Sequence, residues 1–434
     1  MKHKLLRFLQ RLIFSLLALL LLTILVFAGA EAWLRATSCY GSPPSTRIYV
    51  AHPLLGWIGW PNADVVRSMP TRCAQYRYNR FGFRGPDLPL VKPPEAIRIV
   101  VLGDSFLEGY HFPDEDLLTT HLERLVAKKT NRPVQVINLG ISGWGTAQEL
   151  LAYQQLGRRF QPDVVVLLYS SCNDIINDSR PLSDIYNEKM RSMKPYFNWV
   201  DGKLQLTLPP RRLVRAVNRQ LTKRAAGPVF SPWELMTGFP SYLCRSRFGY
   251  WLYTRWDRPS RLRLLLDAWG LAPFNERLYS TTWGESGYYH GLSLRFWIYS
   301  RIPDPLWRAA VEVQMKLVER LAAVTAENQA QFLFVSGANV EQVDPDIWQL
   351  TLRTQPSLQY YNLDLDFPEN ATRVFAAQRG ISYLPLVPAF RAAQTKGREL
   401  FLRGDGHWNE SGQRLAAETI ADFLVERGFV APAP

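Results

Sequence analysis

"RIVVLGDSFLEGY" (Arg98–Tyr110) is the stretch from which the fold is read. An apolar, β-branched run ends in Gly103-Asp104-Ser105, and the residues after it look like the start of a helix. Apolar runs without polar alternation mark strands covered on both faces, which are the parallel strands of α/β sheets.

The alternation continues outward from there. A helical pattern over 114–129 leads to "VQVINLG" (134–140), and another over 146–158 leads to "PDVVVLLYS" (162–170). It stops near Asn177 and resumes with "LWRAAVEVQMKLVERLAAVTAE" (306–327), "QFLFVSG" (331–337), "ENATRVFAAQRG" (369–380), "ISYLPLV" (381–387) and the amphipathic "SGQRLAAETIADFLVERG" (411–428). Strands alternating with helices predict one doubly wound α/β domain over 97–177 and 306–434, interrupted by an insertion over 178–305. The insertion is rich in Trp and Arg. Its "RRLVRAVNRQLTKR" (211–224) places Leu213, Val217 and Leu221 on one helical stripe under a basic face. That face suits either an anionic lipid or glycan, or plain solvent.

Before the domain come three further pieces. A basic tail (1–11) with Lys2, Lys4, Arg7 and Arg11 precedes an apolar segment (12–30) without a charged residue. That length is close to the roughly 20 residues a transmembrane helix needs, and the flanking charges put the N-terminus in the cytoplasm and the rest of the chain outside. A cleaved signal peptide is the competing expectation, since Ala28-Gly29-Ala30 has the small-x-small form of a cleavage site. Residues 31–96 are expected to form strands or hairpins at the domain edge, with a disulfide between Cys39 and Cys73 and with Cys172 and Cys244 unpaired.

The formal net charge of +13 implies an anionic neighbour, and placement outside the membrane disfavours nucleic acid. No cysteine or histidine spacing matches a metal site, so no metal is expected. The partner expected from these features is a membrane; oligomeric state is not legible.

In doubly wound sheets, ligands sit at the carboxyl ends of the strands. The loops there hold Ser105, Asn138-Leu139-Gly140 and Ser171-Cys172-Asn173-Asp174, while "GDGHWN" (404–409) returns to the same edge before the last helix. A serine hydroxyl becomes a nucleophile when an imidazole takes its proton. His407 is the candidate base, with Asp405 two residues earlier to hold its tautomer. His111, His121 and His290 are rival bases without an Asp-x-His setting. Backbone N–H groups of Ser105 and Gly140 and the amide of Asn173 are candidate oxyanion donors; His111 and Trp408 are assigned to substrate binding. Each residue also has a plainer reading: Ser105 as a helix cap, Gly140 as a turn, Asn173 as a loop brace.

In this order the blocks "VLGDSFLEG", "NLGISGWGT", "SSCND" and "GDGHWNESG" resemble the SGNH hydrolases, the GDSL-type esterase and lipase superfamily, and in particular membrane-anchored bacterial members with an "YNRFGFRGP"-like segment before the first block. The resemblance implies a flavodoxin-like three-layer α/β/α sandwich around a five-stranded parallel sheet, with Ser105 as nucleophile, Gly140 and Asn173 in the oxyanion hole, His407 and Asp405 as base and orienter, and no cofactor. Two departures stand out: Ser171 replaces a frequent glycine, and a single residue separates Asp405 from His407. The tighter spacing resembles the branch that O-acetylates exported polysaccharides. The function expected is an extracytoplasmic acyl-ester hydrolase with an acylated glycan or lipid as its substrate; the alternatives are an O-acyltransferase and a surface-binding protein that keeps the fold without turnover.

Overall fold

Five strands pair in parallel: β1 (Ile97–Gly103), β2 (Val134–Gly140), β3 (Val164–Tyr169), β4 (Gln331–Ser336) and β5 (Ser382–Pro385), in the spatial order β2-β1-β3-β4-β5. This is the flavodoxin-like order, in which the chain reverses direction across the sheet between β1 and β3 and opens a crevice there. In the computed structural model the described residues are 2–37, 48–68, 73–186, 190–225, 287–402 and 405–432.

Period-two alternation divides the strand side chains between two cores. Ile97, Ile99 and Val101 pack with Val164, Val166, Leu333 and Val335 under α1 (Leu118–Thr130) and α5 (Glu410–Glu426), whose Leu118, Leu122, Val126, Ala417, Ile420 and Leu424 close that layer. Val100, Leu102, Val165 and Leu167 are equally buried and point the other way. On that side lie α2 (Thr146–Gln155) and α3 (Pro305–Glu327), which pack together. A further helix, α4 (Phe367–Arg379), leads into β5. N-cap side chains start the two longer helices close to where the sequence pattern starts: Asp304 accepts the Trp307 N–H at 2.8 Å, and Asn409 accepts the Gly412 N–H at 3.0 Å.

The chain divides into two compact units. One comprises Met1–Ser45, Val66–Gln75 and Pro228–Phe274; the other comprises Thr46–Val65, Tyr76–Gly227 and Asn275–Pro434, and holds the sheet. Within the larger unit, part of the insertion is well packed. A hairpin of Tyr196–Val200 and Lys203–Thr207 turns through Asp201 and Gly202, both with positive φ, as a tight two-residue turn requires. The basic helix spans Arg211–Ala225 and docks on the strand Tyr49–His52, where the Asn218 side chain bonds both the N–H and the C=O of Ala51. Its Val214 is buried while Arg211, Arg212, Arg215 and Arg219 are exposed. Trp297 is a core residue whose Nε1–H donates to Tyr289 O.

The first unit contains a helix over Lys2–Thr37. The transmembrane helix expected over 12–30 is not found as such: among the described residues no helix is long and apolar enough to cross a membrane. The expected Cys39–Cys73 disulfide, Cys244 and most of the insertion tryptophans lie outside the described side chains; Cys172 is a free thiol.

Candidate active site

β1 is buried along its whole length, so its backbone is held on both faces before it delivers Gly103-Asp104-Ser105. Ser105 opens a one-turn helix, Ser105–Glu108, whose first N–H groups have no partner within the helix. Asp104 caps it: Oδ1 accepts the Phe106 N–H at 2.9 Å, and Oδ2 accepts Asn173 Nδ2–H at 3.0 Å. Asp104 therefore ties the loop after β1 to the loop after β3. Burial raises its pKa, opposed by the hydrogen bonds from Asn173 and Phe106 and by His407.

The loop before α5 brings in the other half of the site. Ser105 Oγ lies 2.7 Å from His407 Nε2, and His407 Nδ1 is hydrogen-bonded to Asp405 Oδ1. Gly406 between them has φ +81°, a conformation that lets the Asp405 carboxylate fold back onto the ring two residues on. Burial alone would raise the Asp405 pKa. Hydrogen bonds from His111 and His407 override it and hold the carboxyl well below the ordinary range. Asp405 thus remains an acceptor wherever His407 is asked to carry a proton.

His111, assigned to substrate binding from the sequence, is buried and turned to this carboxylate, with Nε2 at 3.2 Å from Asp405 Oδ2 and its ring stacked on Tyr110. Trp408 is a correction of the same kind. It is fully buried against Phe106 and Phe390, and its Nε1–H donates to Ala338 O, so it belongs to the core beneath the site. His111, Asp405 and His407 are the one trio of potential metal ligands among the described residues. Their geometry suits hydrogen bonding better than coordination, because Nδ1 of His407 faces Asp405 and Nε2 faces Ser105, leaving neither nitrogen for a shared ion.

A cleft of about 230 Å³ opens over the triad, lined by Ser105, Asn173, Asp405 and His407 together with Ser142, Gly143 and Tyr186. Asn173 keeps a second amide N–H beyond the one given to Asp104. Gly140 is not among the lining residues, and its N–H donates to Asn138 Oδ1 at 2.8 Å. Its role is steric: a Cβ there would sit 2.7 Å from Leu107 Cβ and 2.9 Å from the Glu108 N, against the nucleophile's helix. Sequence reasoning missed Gly143, three residues on in the same "NLGISG", which lines the cleft with φ +78°.

It also missed the contribution of the segment before β1. Arg84, from "RFGFRGP", is buried and donates to the carbonyls of Glu108, Gly109 and Phe112 and to Asp114, fixing the loop that carries Tyr110 and His111.

Beside the site, Glu149, Asp174 and Asp178 are buried together. Burial, reinforced by their mutual repulsion, pushes Glu149 and Asp174 well up; burial raises Asp178 to about 7, against hydrogen bonds from the Ala147 and Thr146 N–H groups and the nearby charge of Lys194. A folded-state pKa above the unfolded value of about 3.9 means that the native state binds the extra proton, so stability falls as pH rises between the two. We expect the unfolding free energy to drop from about pH 4 to pH 7 as Asp178 holds a proton in the folded chain that the unfolded chain has lost. Glu149→Gln, at a carboxyl with neither oxygen partnered among the described residues, raises the melting temperature at pH 8 and not at pH 4. Thermal melts at the two pH values check this; equal shifts at both would refute it.

Comparison with known proteins gives two family models, each matching part of the chain. Residues 101–256, which include Ser105 and Asn173, match the model of the GDSL-like lipase/acylhydrolase family. Residues 365–433, which include Asp405 and His407, match the model described as SGNH hydrolase-like domain, acetyltransferase AlgX. Among solved structures, the chain is similar to the acetyl xylan esterase AlAXEase at 13% identity and a TM-score of 0.35, over 76% of this chain and 100% of that one. It is also similar to a lipase/acylhydrolase from Enterococcus faecalis at 11% identity and a TM-score of 0.34, over 78% and 99% respectively. No curated protein matches. One family model thus falls on the strand-borne serine and the other on the Asp-x-His loop that meets it, so the chain carries a GDSL-like lipase/acylhydrolase domain match and an SGNH hydrolase-like domain match on the two halves of one site.

Proposed function

We propose that the protein is a serine acyl-ester hydrolase acting outside a bacterial membrane on an acylated glycan or lipid. The observation that carries this reading is the hydrogen-bonded line Asp405–His407–Ser105 at the mouth of the cleft. In the reaction, His407 Nε2 takes the Ser105 proton as Oγ attacks the ester carbonyl. The Ser105 N–H, the second Asn173 N–H and the Gly143 N–H receive the developing oxyanion, each such donor being worth about 3 to 4 kcal/mol in the transition state. Protonated His407 then gives its proton to the leaving alcohol, and a water activated by the same ring releases the acid.

The placement outside the membrane rests on the basic tail 1–11 ahead of the uncharged segment 12–30, a pattern that directs a chain across a membrane. Fractionation of chains with and without residues 1–37 tests this placement.

A second reading has a specific observation behind it. The C-terminal match is to a model described as an acetyltransferase, which favours an O-acyltransferase whose acyl-enzyme is attacked by a sugar hydroxyl. Product analysis with and without an acceptor oligosaccharide separates the two. Under the hydrolase reading, free acid is released at the same rate in both; ester found on the acceptor would replace that reading with transfer.

A further inference from the structure

The wall of the cleft is set by residues outside the α/β domain. Ser142 is held at both ends of its backbone. Its N–H donates to Glu108 Oε2 at 2.7 Å, and its C=O accepts Trp57 Nε1–H at 3.0 Å. The Ile141–Trp144 turn is closed by the Trp144 N–H to Ile141 O at 3.1 Å, and Trp144 Nε1–H returns to Trp57 O at 3.1 Å.

The C=O and N–H of a trans peptide point in opposite directions. With the Ser142 carbonyl drawn to Trp57, the Gly143 N–H of that same peptide faces away from the indole. The Glu108 carboxyl is anchored in turn by Tyr49 and Tyr78: Tyr49 O–H lies 3.0 Å and 2.9 Å from its two oxygens, and Tyr78 O–H bonds Oε1. Glu108 and Tyr78 are fully buried and Trp57 nearly so. A buried carboxyl that accepts from three donors on three separate segments has little freedom to turn, so the peptide it holds is fixed as well.

We propose that Glu108 and Trp57 are positioning residues for the Ser142–Gly143 peptide, so that the segment preceding the α/β domain holds the oxyanion side of the active site. The inference rests on the acyl-ester reading above. A displacement of about 1 Å at such a donor costs on the order of 100-fold in rate.

The experiment uses the full-length protein with Trp57→Phe, which keeps the ring and removes the N–H, and Glu108→Gln, which keeps the shape. Each is expected to lower kcat for p-nitrophenyl acetate roughly 10- to 100-fold, with KM changed less than about twofold. The rate of inactivation by a fluorophosphonate, whose adduct carries the tetrahedral oxyanion, falls in parallel. A merely structural role would lower the melting temperature and the active fraction and leave kcat per labelled site unchanged. That result, or a change confined to KM, overturns the proposal. Should either variant fail to fold, Tyr49→Phe and Tyr78→Phe each remove one hydrogen bond from Glu108 and carry the same test: a fall in kcat per labelled site supports the proposal, and an unchanged kcat overturns it. Wild type as inactive as Ser105→Ala sinks the acyl-ester reading itself; active wild type beside equally active Trp57→Phe and Glu108→Gln sinks this inference alone.

Discussion

Ser105→Ala is expected to abolish ester cleavage, with kcat for p-nitrophenyl acetate falling by about 10⁴ to 10⁶. Without Oγ there is no atom 2.7 Å from His407 Nε2 to attack a carbonyl, and only the oxyanion donors and substrate binding remain. Because nucleophile and base act as a unit, His407→Ala costs about as much, and the double variant little more than either. A fluorophosphonate labels wild type and not Ser105→Ala. Folded wild type that neither labels nor cleaves would exclude the acyl-ester reading.

Asp405→Asn is expected to lower kcat by about 10⁴ with the fold intact. Asp405 accepts from both imidazoles, from His407 Nδ1 on one oxygen and His111 Nε2 on the other. An amide can face only one of them with oxygen, so it either presents N–H to His407 and selects the wrong tautomer or releases His111. Since its two histidine partners hold Asp405 far below the ordinary carboxylate range, the acid limb of the wild-type pH–rate profile is not set by Asp405. The variant therefore lowers the plateau rate. Activity within tenfold of wild type would mean that another group orients His407.

Much of this architecture is legible in the chain. The five apolar runs are the five parallel strands, and the helical periods between them match the helices within a few residues, because a strand buried on both faces has no polar alternation to confuse its reading. Ser105, Asn173, Asp405 and His407 could be chosen because each stands where a strand or loop reaches the carboxyl edge. The structure brings all four to one cleft.

Other readings depended on side-chain direction, which no spacing encodes. Gly140 ends β2 three residues before Gly143, and only the hydrogen bond from Gly140 to Asn138 shows that its N–H is already committed. Trp408 adjoins the base in sequence, yet its indole points into the core and donates to Ala338, seventy residues away. His111 follows the nucleophile's helix like a substrate contact, but its loop, clamped by Arg84, turns it to the far side of Asp405.

By itself, then, the sequence determined the layered α/β architecture, the strand-end serine and the Asp-x-His pair, since these rest on local periodicity and on residues adjacent in the chain. Only the tertiary structure decided which loop backbone faces the cleft and that Trp57, Tyr49, Tyr78 and Arg84 support it. Those contacts join residues tens of positions apart, Trp57 to Ser142 and Tyr49 to Glu108 among them. Contacts across such separations are selected by close packing of the whole core.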